Sequence, residues 1–138
     1  MAKKMQKNTK YSSYIGNFFV SLQRIKDKEM NIEVTYLQEA QEFIETMPPK
    51  ARLKMLHNIS MVQIGVKDTR IFKKLGDSDI WEFRSEYDGN AYRLLSFWDK
   101  TQKSLVVATH GFDKKTQKTP QNEIRHAEQI RNEYYKTR

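Results

Sequence analysis

Residues Trp81–Pro120 read WEFRSEYDGNAYRLLSFWDKTQKSLVVATHGFDKKTQKTP, and the reading of this stretch decides the fold. Asp88-Gly89 is a short-hairpin signal, because both residue types tolerate the positive φ of a two-residue turn. Before the turn, Trp81, Phe83 and Tyr87 alternate onto one face, with Ile80, Glu82, Arg84 and Glu86 on the other. Ala91–Trp98 reads as the returning strand. Ser104–Thr109 reads as a third, β-branched strand beyond the polar turn Asp99–Gln102. A two-residue loop sets Arg84 opposite Arg93 on one face; a three-residue loop that includes Asn90 shifts the pairing by one. Charged residues are depleted in strands, so these two arginines need a reason. One reason is a basic, concave sheet face that grips phosphate. The other is an ion pair from each arginine to Glu82 or Glu86.

Downstream, the loop Asp113–Thr119 carries Lys114, Lys115 and Lys118. Thr119 is placed to cap a helix whose first residue is Pro120, and Glu123 complements the dipole of its first turn. Ile124, Ala127, Ile130 and Tyr134 make that helix amphipathic. Upstream, Ile32–Thr35 suits a first short strand. Leu37, Ala40, Ile44 and Met47 recur at helical spacing, and Pro48-Pro49 ends that helix and starts the next. Met55, Ile59, Val62 and Val66 stripe the second helix, which weakens at Gly65. Ile71–Leu75 reads as an edge strand or a loop leading to one. The order predicts an α+β fold: an N-terminal helical hairpin packed on a small, mainly antiparallel twisted sheet, with a C-terminal helix and the helices segregated to one face.

With 138 residues, 38% of them hydrophobic, the chain suits one domain with a modest core. The net charge of +8 favours a polyanionic partner through phosphate neutralisation and counterion release. There is no cysteine, which excludes disulfides, thiolate nucleophiles and cysteine–zinc sites and is compatible with a reducing cytosol. No apolar run approaches the ~20 residues of a membrane-spanning helix. Residues 1–30 are basic at their start and weakly patterned afterwards, and Tyr14, Phe18, Phe19 and Leu22 fit one side of a short helix. This segment has a faint likeness to a signal peptide. Asn17 and Ser21 interrupt its apolar run and Arg24, Lys26 and Lys28 follow it, so export is not expected. We read residues 1–30 as an extension and residues 31–138 as the single folded domain.

No histidine pair has metal-ligand spacing, and no glycine motif for nucleotide binding is present. His110 alternates with Val106 and Ala108. That places it in the core as a hydrogen-bonded residue, in preference to a role as a general acid.

The segments Lys74-Leu75, Trp81–Arg84, Tyr92–Leu94 and His110–Phe112, with Lys114–Pro120, resemble the RelE/HigB group of bacterial toxins, in particular its phage-derived, HigB-like branch. The resemblance runs from about Asn31 to Tyr135, and Met30 matches the start of typical members. It implies a RelE-like fold and a cytoplasmic toxin of a type II toxin-antitoxin system. Such a toxin is an endoribonuclease that cleaves messenger RNA in the ribosomal A site by metal-independent attack of the RNA 2′-hydroxyl. It also implies a helix-turn-helix antitoxin as partner, with no cofactor. Carried over residue by residue, Arg84 and Arg93 match the strand arginines, and Lys114, Lys115 and Lys118 the basic loop. Glu82 takes the place of a general base or of a salt-bridge partner to an arginine, and His110 that of an acid or a structural residue. Tyr134 or Tyr135 takes the place of a C-terminal aromatic near the nucleotide, or of core. Two rival functions remain at this point: a ParE-like toxin that acts on DNA gyrase without nuclease activity, and an RNA-binding domain without catalysis.

Overall fold

In the computed structural model, which describes residues 31–138, Asp88 and Gly89 form the tight turn with φ of 52° and 78°. They join β3 (Trp81–Tyr87) to β4 (Asn90–Trp98), with Tyr87 paired to Asn90. β1 (Glu33–Tyr36), β2 (Phe72–Lys74) and β5 (Leu105–Lys114) complete a five-stranded sheet in the order β1-β5-β4-β3-β2. Only the β1/β5 pair is parallel. α1 (Gln38–Thr46) lies over β5, and α2 (Pro49–Gln63) lies over β3. α3 (Gln121–Lys136) follows the last strand. The expectations for residues 1–30 fall outside the described residues.

The helices occupy both faces of the sheet, which corrects the expectation that they share one. α1 and α2 cover Phe72, Phe83, Tyr92, Leu94, Val106 and Ala108. α3 covers Ile80, Leu95, Phe97, Leu105 and Val107 through Ile124, Ala127 and Tyr134. The reason lies in the central strands. β4 and β5 are apolar at alternate and intervening positions alike, as strands buried on both faces are. Tyr134 is core on this second face, where its hydroxyl donates to Asp99 Oδ2 at 2.5 Å. Tyr135 accepts the Lys100 N–H at 3.0 Å. Both rings brace the Asp99 turn.

β5 runs five residues further than its β-branched segment and contains a bulge. Leu95 pairs with His110 but Ser96 pairs with Ala108, which leaves Thr109 as the extra residue. Thr109 is buried, and its hydroxyl donates to Leu95 O at 3.2 Å. Because side-chain direction has period two, one inserted residue turns everything after it over. His110, Phe112 and Lys114 therefore face α3, opposite to the face of Val106 and Ala108. Gly111 turns towards α1, where a Cβ would overlap the ring of Phe43. Gly111→Ala is expected to cost about 1–3 kcal/mol of stability through overpacking. A urea-denaturation midpoint unchanged from the parent would contradict this contact.

Candidate phosphate-binding site

The two-residue turn fixes the register, and the register sets Arg84 directly opposite Arg93. The Arg84 N–H donates outward to Ile71 O, so this is a pair without mutual backbone bonds, in which cross-strand side chains lie closest. Like charges placed so are destabilising. Glu82 resolves the conflict, since its Oε1 lies 3.5 Å from Arg84 Nε and 3.4 Å from Arg93 Nε. Its other oxygen accepts the hydroxyl of Thr119. Only 2% of Glu82 is exposed.

Thr119 was expected to cap α3. Among the described residues α3 has no side-chain cap, its N-cap position being Pro120, and the threonine hydroxyl reaches back across the sheet to Glu82. The segment after β5 is thereby closed down over the arginine pair.

The two arginines differ in their surroundings. The Arg93 side chain is 3% exposed, and its Nη1 donates to Tyr92 O at 3.0 Å. Burial pushes its pKa down, Glu82 pulls it back and Arg84 lowers it again. The Arg84 side chain is 26% exposed and donates through Nη1 to Thr69 O at 3.1 Å. Neither Nε makes a hydrogen bond.

Arg84 stands between two open clefts. One, of about 740 Å³, is lined by Lys73, Lys74, Glu82, Arg84, Lys114, Lys118 and Thr119, with Glu128 of α3 at its side. The other, of about 430 Å³, is lined by Lys54, Asn58, Arg70, Arg84 and Arg93, with Asp68 and Glu86. Lys54 and Asn58 donate to the outward carbonyls of Glu86 and Arg84, which closes the β3 edge beyond the end of β2.

Of the residues expected at the site, Glu82, Arg84, Arg93 and Lys114 come together, and Lys118 lines the larger cleft. Lys114 is a strand residue, where the sequence placed it in the loop. Lys115 is exposed in the loop and lines neither cleft. Lys73 was not anticipated. Its pairing with Glu82 puts it on the arginine face, which was legible only once the β2/β3 register was known.

His110 lies apart from these clefts. It is 5% exposed, with Nε2 2.9 Å from Glu123 Oε1 and Nδ1 3.2 Å from Thr109 Oγ1. Its ring is 4.6 Å from that of His126, which is bound to Glu39 of α1. Burial lowers the His110 pKa, the Glu123 bond opposes that, and His126 reinforces it. The folded state therefore binds this proton less readily than the unfolded chain. Stability is expected to fall as pH drops from about 6.5 through the lowered folded value. His110→Gln should flatten that part of the profile, read from urea midpoints between about pH 7 and 5. An identical slope in the variant would remove the assignment.

Among the described residues no group of His, Asp and Glu is arranged to hold a metal ion, and no helix is long and apolar enough to cross a membrane. No curated protein matches the chain. Residues 42–132, most of the described domain and every residue that lines the two clefts, match the family model described as phage derived protein Gp49-like (DUF891).

Proposed function

The chain belongs to the phage-derived Gp49-like family, a toxin-like family of the RelE type, and from that premise we propose that it is the toxin of a type II toxin-antitoxin system, an endoribonuclease that cleaves messenger RNA on the ribosome. The observation that carries the proposal is the opposed Arg84–Arg93 pair, held by one buried carboxylate between two cation-lined clefts. Guanidinium groups fixed in place bind a phosphodiester and stabilise the charge that builds on it during attack. Lys73, Lys74 and Lys118 continue the positive lining and would hold neighbouring phosphates as mobile point charges. In this reading Glu82 positions the two arginines. A helix-turn-helix antitoxin is the partner proposed to cover the basic face.

RNA binding without cleavage is the second reading. What favours it is that Glu82, the carboxylate nominated as a base, is buried and engaged on both oxygens.

Induced expression of the chain in bacteria separates the two. The expected result is arrested growth, messages cut to 2′,3′-cyclic phosphate ends, and recovery when the antitoxin from the adjacent reading frame is co-expressed. Normal growth in cells that contain the intact, folded protein would count against a toxin. Bound but uncut RNA would favour the second reading.

A further inference from the structure

We propose that Lys114 is the general base that takes the proton of the RNA 2′-hydroxyl, with its Nζ in contact with that oxygen; the inference rests on the endoribonuclease reading above.

The geometry begins with the bulge at Thr109. Without it, strand alternation would turn Lys114 onto the α1/α2 face. With it, Lys114 ends β5 opposite Ala91, on the face that carries Arg93, and lines the larger cleft. The residue is half-buried, and its stem is fixed by the sheet instead of swinging on a loop.

The partners of its ammonium are the second observation. Among the described residues the Lys114 ammonium makes no hydrogen bond and no ion pair, although charged groups lie around it on the sheet and across the cleft. Arg93 of β4, Arg84 of β3, Lys73 of β2 and the loop residue Lys118 are cations. Of the nearby carboxylates, Glu82 is occupied by the two arginines, and Glu128 of α3 lies along the same cleft. A half-buried lysine with more cations than carboxylates around it releases its proton more readily than a free one. Burial and then Arg93 lower the Lys114 pKa, with Glu82 opposing. An amine so tuned, beside groups that bind phosphate, suits proton abstraction in a site where the one buried carboxylate is committed to structure.

The step balances as follows. The 2′ O–H bond breaks and its proton goes to the Lys114 amine. The 2′-oxygen forms a bond to phosphorus while the P–O5′ bond breaks. The 5′-oxygen takes a proton from water, and the ammonium returns its proton to the hydroxide left behind. The products are a 2′,3′-cyclic phosphate and a 5′-hydroxyl.

Lys114→Arg tests this, because arginine keeps the positive charge but does not deprotonate in this range. Single-turnover cleavage on programmed ribosomes is measured against pH for the parent and the variant. Affinity for a 2′-O-methyl RNA hexamer, which cannot be cut by this route, is measured beside it. If Lys114 is the base, the variant binds the hexamer within about threefold of the parent, loses about 10²–10⁴ in cleavage, and loses the rising limb of the pH profile. If Lys114 only holds phosphate, the variant cleaves with an unchanged pH profile, which overturns the proposal and leaves the nuclease reading standing. If the parent does not cleave at any pH while it binds the hexamer, the nuclease reading itself fails, and the base with it. Matching urea midpoints for parent and variant confirm that both are folded.

Discussion

Arg93→Ala is expected to lower single-turnover cleavage on programmed ribosomes by about 10²–10³, the usual effect of removing one preorganised group that stabilises developing charge. The sequence leaves two readings of this arginine: one that faces phosphate and can be removed without cost to the fold, and one paired to Glu82 or Glu86 whose loss weakens the sheet. In the structure Arg93 is paired, because its side chain is 3% exposed and shares Glu82 with Arg84, so its removal also costs stability. Glu82 keeps its second cation in the variant, so the loss of stability should stay below the ~3–5 kcal/mol of a fully orphaned buried charge. Arg84→Ala should lose a similar factor in rate with a smaller change in stability, since its side chain is 26% exposed. Thermal melting beside the cleavage assay separates the two effects. Near-parental cleavage by both folded variants would remove the phosphate role.

Glu82→Ala is expected to have the largest effect on stability, about 3–5 kcal/mol. It leaves two opposed guanidiniums with no anion between them and leaves the Thr119 hydroxyl without its acceptor. Glu82→Gln keeps an acceptor for Thr119 but not the charge, and its urea midpoint should fall between those of the parent and the alanine variant. Cleavage by the glutamine variant discriminates between two roles. A positioning residue gives a partial loss with an unchanged pH profile. A general base gives near-complete loss with a pH limb abolished, and that result would transfer the role from Lys114 to Glu82.

The alternation from Ile80 to Tyr87 determines by itself which residues of β3 face which way, and the Asp88-Gly89 turn narrows the partner of Arg84 to Arg93 or a position one residue away, between which the structure selects Arg93. Both limits follow from local rules: period-two side chains, and a turn whose length fixes the register. The 3.6-residue spacing likewise determines the helices and their buried stripes, as Ala40, Ile44, Met55, Ile59, Ile124 and Ala127 illustrate. Three features that shape the site were decided only by the tertiary structure. The bulge at Thr109 leaves no mark in a β-branched run, because it arises from how β5 fits β4; it turns both His110 and Lys114 onto the face of the sheet that carries Arg84 and Arg93. The turn of Thr119 from helix cap to Glu82 partner depends on a residue 37 positions earlier in the chain. The placement of Lys73 on the arginine face depends on the pairing of an edge strand of three residues, too short for its own pattern to set a register. In each case the deciding contact is made between residues far apart in sequence. Local preference can limit what such contacts join, but only the folded sheet selects among them.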